Sequence, residues 1–312
     1  MTNLKVKFCE VEFENPTVLA SGVLGVTAAS LKNVIKHGAG GVTTKSIWLE
    51  EHKGHANPTM FGTEHYFLNA VGLSDAGIEK AQGLFEEYGV PGVRPAPIIA
   101  SIVATKDDEF AELADKIVGM NPDIIEVNIS CPNVEDEFGL PFACDPMQAA
   151  HVTEVVKKKM EEIGSKIPVL VKLSPNVPNI SRIAAACADK GVDGFCAINT
   201  IGPGLGINLE TRTPILKNKV GGLSGPAIKP IAVKMVHDIA KTTGLPVIGT
   251  GGVMTGEDAI EMMMAGATLV GIGTMVYYRD VGGFGEVVAE MNEWCEKEGV
   301  KDLSEIIGTV KM

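Results

Sequence analysis

The strongest constraint on this fold is an alternation. Short apolar runs recur along the chain, and helical spacing follows most of them. The runs are residues 16–21 (PTVLAS), 41–46 (GVTTKS), 97–103 (PIIASIV), 124–133 (IIEVNISCPN), 169–173 (VLVKL), 194–199 (GFCAIN), 246–250 (PVIGT) and 269–272 (LVGI). Runs without polar alternation suit parallel strands covered on both faces. Helices are expected over 30–37, 107–118, 147–163, 180–190, 227–242, 256–265 and 285–298, with Gly38 and Gly191 as stops after the first and fourth. The pattern predicts an α/β fold, a single (β/α)8 TIM barrel spanning residues 1–312. No GxGxxG follows the first strand, which argues against a doubly wound open sheet.

Two features decorate the barrel. Residues 6–13 alternate apolar and polar about a turn near Cys9 and Glu10, which reads as an N-terminal hairpin. Long loop-rich tracts at 48–94 and from 200 to 223 are longer than connections usually are, and such loops in a compact domain are usually functional.

Composition narrows the partners. A net charge of −12 over 312 residues lacks the basic footprint of a nucleic-acid binder or a membrane-surface protein. The start, MTNLKVKFCEVEFENP, has no apolar core and does not read as a signal peptide, and no run approaches a bilayer span. The six cysteines include no CxxC pair, so neither zinc nor an iron–sulfur cluster is signalled. Their scatter suits a reducing, cytoplasmic setting.

In a barrel all strands end at one mouth. The expected rim carries Ser21, Lys45, Asn128, Lys172, Asn199 and Thr200, then the glycine turns Gly251-Gly252 and Gly273-Thr274. Two lysines at buried strand ends call for an anion. Glycines after the seventh and eighth strands allow close backbone approach to a phosphate. Asn69, Asn128, Asn133 and Asn199 offer paired donors and acceptors that match a planar heterocycle. Cys131 stands among these amides on the loop leaving strand four. His52 and His55 are read as solvated loop rather than metal ligands, and Met262 to Met264 as core packing. The acidic run from Glu135 to Glu137 suits a loop over the mouth, whether lid or plain solvated segment.

The motifs NISCPN, TKS, LNAVGL, VKLSPN, INT, GGLSGPAIKP, GTGG and GIGT, in this order, resemble those of the dihydroorotate dehydrogenases, over residues 21 to about 278. Cys131 in place of serine, and LETRTPILKNKVGGLSGPAIKP, are similar to the soluble class 1B catalytic subunit. The resemblance implies one FMN per chain, its phosphate on Gly251, Gly252, Gly273 and Thr274. Ser21, Lys45, Ser46, Asn128, Lys172, Ile198 and Gly225 would line the flavin. Ser101 stands where the family usually has an asparagine, and a water is expected to fill in.

Lys45, Asn69, Ala70, Val71, Gly72, Leu73, Asn128, Asn133, Asn199 and Thr200 would hold the orotate ring. The implied activity is oxidation of dihydroorotate to orotate in UMP biosynthesis, with Cys131 as general base and Lys45 and Lys172 as catalytic cations. The resemblance also implies a homodimer of this chain within a heterotetramer, whose other subunit carries FAD and a 2Fe-2S cluster and passes electrons to NAD+. The alternatives are a fumarate-using class 1A enzyme, a dihydropyrimidine dehydrogenase-like reductase, and a flavin-free phosphate-binding barrel isomerase or lyase.

Overall fold

The computed structural model describes residues 2–130 and 142–312. Eight strands, β1 (Thr17–Leu19), β2 (Gly41–Thr43), β3 (Ile98–Ile102), β4 (Ile124–Asn128), β5 (Val169–Lys172), β6 (Gly194–Ala197), β7 (Val247–Thr250) and β8 (Leu269–Ile272), form a closed barrel in sequence order. All eight pairings are parallel, β8 to β1 included. The helices are α1 (Ala28–Lys36), α2 (Ile78–Tyr88), α3 (Asp107–Val118), α4 (Pro146–Glu162), α5 (Ile180–Ala188), α6 (Lys229–Thr243), α7 (Gly256–Met264) and α8 (Gly283–Glu298). One of these lies after each strand, and a short further helix, Met275–Arg279, precedes α8.

Local chemistry sets the helix ends. Thr27 caps α1 by accepting from the Ser30 amide, and Asp145 caps α4 with Pro146 in its first turn. Thr255 and Asp258 form a reciprocal capping box on α7. Gly244 and Gly299 end α6 and α8 in the left-handed region. Asp107, Asp108 and Glu109 open α3 and Lys116 closes it, which complements the helix dipole. Met262 and Met263 are fully buried, as the core reading expected.

The N-terminal hairpin pairs Val6–Phe8 with Val11–Phe13. Cys9 and Glu10 both take positive φ, 47° and 67°, the conformation of a tight two-residue turn.

The loop tracts carry more order than the sequence pattern implied. The 48–94 tract contains α2 and a hairpin of Met60–Gly62 with Phe67–Asn69, and the tract after β6 contains Ile201–Leu205 and Val220–Ser224. Val220–Ser224 pairs antiparallel with Phe67–Asn69, so the two excursions join in one four-stranded sheet. These strands are short and rich in glycine and polar residues, which hides them from a periodicity reading. A two-stranded hairpin of Ile207–Asn208 and Thr213–Pro214 adds a further projection. Leu223 packs against both the barrel core and a small cluster of Leu68, Ala70 and Leu216.

Barrel register sets which side chains meet in the lumen. Ser101 stands opposite Glu126, Asn128 opposite Lys172, and Lys172 opposite Cys196. Close helix contact demands small residues behind the strands. A Cβ on Gly249 would lie 2.5 Å from Met262 Cγ and 2.7 Å from Ala267 Cβ. Gly249→Ala is therefore expected to cost about 1–3 kcal/mol, read as a lower urea midpoint; an unchanged midpoint would mean that α7 can shift at no cost.

Candidate active site

The C-terminal rim of the barrel opens into a cavity of about 550 Å³, within the roughly 300–1,000 Å³ of small-molecule sites. The rim of β1 supplies Ser21, β2 supplies Lys45 and Ser46, β4 Asn128 and β5 Lys172. Ile198, Asn199 and Thr200 line it after β6, Gly251 and Gly252 after β7, and Gly273 and Thr274 after β8. The accessory sheet closes it with Asn69, and the following loop adds Val71, Gly72 and Leu73.

Two residues expected at the site do not line the cavity. Ala70, just past the strand Phe67–Asn69, is fully buried in a cluster with Leu68 and Leu216. Gly225 lies just behind the lining with φ +88°, and a Cβ there would be 3.5 Å from Thr274 Cγ2. Cys131, Asn133 and the acidic run from Glu135 to Glu137 lie outside the described residues. Lining residues absent from the sequence reading include Ser224, Thr250, Val276 and Tyr277. Ser224 stands inside the quoted GGLSGP motif, which was its signal.

The floor is a chain of buried polar groups. Asn128 Nδ2 donates to Ser46 Oγ at 2.9 Å, and Ser46 Oγ is 2.9 Å from Ser101 Oγ and 3.3 Å from Ser21 Oγ. Ser101 Oγ donates to Glu126 Oε1 at 2.8 Å, so Ser101 supports Ser46 from below. On the other side, Asn128 Oδ1 accepts from Ser130 Oγ at 3.0 Å, and Ser130 Oγ accepts from Asn199 Nδ2 at 3.0 Å. Glu126 was hidden in a run read as apolar. Its place two residues before Asn128 puts both on the lumen face. Lys172 Nζ stands 3.8 Å from Glu126 Oε1.

The 69–73 loop is held from outside. Trp48 Nε1 donates to the Leu73 carbonyl at 2.8 Å, and the His55 amide donates to the Val71 carbonyl at 3.0 Å. The Trp48 ring stacks on His52 at 4.7 Å. His52 and His55 are thus structural supports rather than plain solvated loop. Gly72 and Leu73 both take positive φ, so the turn is bent sharply under these clamps. Lys45 Nζ donates to Ser74 Oγ at 2.8 Å. Burial lowers the Lys45 pKa below 10.5, and the Asp75 carboxylate partly opposes that shift.

The profile of the family described as dihydroorotate dehydrogenase matches residues 3–294. The chain belongs to the dihydroorotate dehydrogenase family. It is 45% identical over 309 residues to a Methanocaldococcus jannaschii protein named dihydroorotate dehydrogenase B (NAD(+)), catalytic subunit, covering 98% of this chain and 97% of that one. A Pyrococcus furiosus protein of the same name is 39% identical over 306 residues, 98% of each chain. The crystal structure of DHODH from Eimeria tenella in complex with ferulenol superposes with a TM-score of 0.85 at 22% identity, covering 98% of this chain and 88% of that one, a likeness of fold.

The residues of this dihydroorotate dehydrogenase family member fit a flavin mononucleotide. Gly251 and Gly252 have φ of +132° and +78°, and a Cβ on them would meet Ala232 Cβ at 2.8 Å and Lys229 Cβ at 2.6 Å. The cradle therefore exists only with glycine. Thr274 Oγ donates to Ser224 Oγ at 2.8 Å and so lies fixed beside it. Among the described residues no group of His, Cys, Asp and Glu could hold a metal ion, and no helix is long and apolar enough to cross a membrane.

Trp48→Phe removes the indole N–H that donates to the Leu73 carbonyl. The expected loss is about 1–3 kcal/mol, seen as a lower urea midpoint at constant m. A parent-like midpoint would mean that Leu73 finds another donor.

Proposed function

We propose that this chain, residues 1–312, is the catalytic subunit of an NAD-linked dihydroorotate dehydrogenase that oxidises dihydroorotate to orotate in UMP biosynthesis. The observation that carries this reading is the convergence of Lys45, Lys172, Asn128, Asn199 and the Gly251–Gly252 turn on one cavity in a member of this family. The names of the relatives, at 39–45% identity across nearly full chains, support the NAD-linked class over the fumarate-using one.

One FMN is the proposed cofactor, its phosphate on Gly251, Gly252, Gly273 and Thr274, its ring beside Ser21, Lys45, Ser46, Asn128, Lys172 and Ile198, with Gly225 shaping the lining from behind. Bound there, FMN supplies the acceptor for the hydride leaving C6. The chain's own groups do the rest. Asn69, Asn128, Asn133, Asn199 and Thr200 present donors and acceptors that fix the pyrimidine in its plane. Val71, Gly72 and Leu73 form the wall, and Ala70 acts from behind it. Lys45 holds the substrate's carboxylate. Cys131 takes the proton from C5 as general base. Lys172 places a positive charge where negative charge develops.

A reducing cytoplasm suits Cys9, Cys187, Cys196 and Cys295, four free thiols. The relatives are named catalytic subunits, which supports assigning onward transfer to NAD+ to a partner subunit, proposed to carry FAD and a 2Fe-2S cluster. The proposed assembly is a homodimer of this chain within a heterotetramer.

The first test is the visible spectrum of the purified chain, titrated with orotate. A flavin band that shifts on titration is expected, whereas a colourless protein would leave a phosphate-binding isomerase or lyase. In the same preparation, Cys131→Ser should cut dihydroorotate-dependent turnover by orders of magnitude while the flavin stays bound; parent-like turnover would remove Cys131 as base.

The pH profile carries a second expectation. Loss of the C5 proton needs the thiolate, so activity rises toward the ordinary thiol pKa of about 8.5. The Lys45 ammonium disappears as pH climbs through a value lowered below 10.5 by burial. Orotate affinity should therefore weaken on the alkaline side of that window. Lys45→Met should bind orotate at least about tenfold more weakly and without that dependence. A Lys45→Met variant with parent-like orotate affinity would contradict the assignment.

A further inference from the structure

One buried ionisable group has no part in the chemistry so far described. Glu126 lies in the barrel lumen below the cavity, 2% exposed, and does not line it. Its Oε1 accepts from Ser101 at 2.8 Å and stands 3.8 Å from Lys172 Nζ, with the lysine side chain itself 7% exposed. Taking two charges out of water generally costs about as much as their attraction returns, so stability alone does not account for the pair. An ammonium left in that lumen without a counter-ion would tend to shed its proton, and the more so once a flat ring fills the cavity and removes the remaining water.

We propose that Glu126 is a positioning residue for the active site, the counter-ion that keeps Lys172 an ammonium at the cavity floor while Ser101 ties the same carboxylate to Ser46. Through Ser46 the anchor reaches Asn128, which donates to that hydroxyl at 2.9 Å. One carboxylate thus orders a cation and a hydroxyl on opposite sides of the floor. Two other ionisable groups among the described residues face this region. Cys196 on β6 stands opposite Lys172 in register, and burial pushes its thiol up, with Glu126 adding to the shift and Lys172 opposing it, so it stays neutral. Lys45 on the cavity rim is lowered by burial and raised by Asp75.

This inference rests on the flavin reading for where the ammonium acts, but the ion pair is testable apart from it. Urea unfolding of the purified full chain is compared for the parent, Glu126→Gln, Lys172→Met and the double variant. Lys172→Met leaves a buried carboxylate unpaired, so adding Glu126→Gln should recover about tenfold or more in the unfolding constant. Additive losses would overturn the proposal, and this arm is informative even with no bound flavin.

The second arm is the midpoint potential of the bound flavin between pH 6 and 9. Glu126→Gln should introduce an ionisation absent from the parent, with the potential falling below the parent's on its alkaline side. Glu126→Asp, which keeps the charge, should lack it. A Glu126→Gln curve parallel to the parent's would refute the counter-ion role. Should Glu126→Gln fail to fold alone, the comparison of Lys172→Met with the double variant still decides.

Discussion

Closing eight parallel strands into a ring has one consequence that all else here inherits. Every strand runs out at the same rim, so residues far apart in the chain become neighbours without any long-range design beyond the register. Ser101 meets Glu126 and Asn128 meets Lys172 because adjacent strands are staggered as they are. A one-residue slip on β4 would turn Glu126 and Asn128 out of the lumen and bring Ile125 and Val127 in. The polar floor is thus a property of the ring, and it has no meaning for any strand alone.

That floor also explains why the barrel tolerates polarity where most barrels carry branched apolar side chains. Ser46, Ser101, Asn128 and Ser130 are all buried, and each has a hydrogen-bond partner. A connected network avoids the penalty of orphaned donors, and in a low-dielectric lumen it fixes side chains in single orientations. The result is an ordered base beneath a cavity whose other walls are loops and the accessory sheet.

The sequence carried the ring and most of the rim, and failed where the signal was local or tertiary. Strands β3, β4, β5 and β8 were legible because they are mostly apolar, and α3 matches its expected bounds because its charges mark both ends. Helix α2 was submerged in the 48–94 tract, since Gly77 and Gly89 flank it and no side-chain cap announces it. The accessory strands form only by pairing with each other, so no periodicity within either excursion could reveal them. Glu126 was passed over because a single charge in an apolar run reads as noise until its partner across the sheet is known. Ala70 and Gly225 came with their motifs, but a motif does not say which neighbour faces the cavity and which faces away. Ser101 was noted as a departure from the family's asparagine, and its role as a bridge between Glu126 and Ser46 needed the register of β3 on β4.

The four-stranded sheet over the mouth joins Phe67–Asn69 from one excursion to Val220–Ser224 from another, with Gly222 paired to Asn69. A Cβ on Gly222 would fall 2.0 Å from Thr200 Oγ1, itself a lining residue. Neither excursion can therefore be remodelled by itself. In the divergence of such barrels toward new ring-shaped substrates, these two segments should be inherited as a matched set, so that a recombination breakpoint between β2 and β6 would yield a chimera with an intact ring and a broken cap.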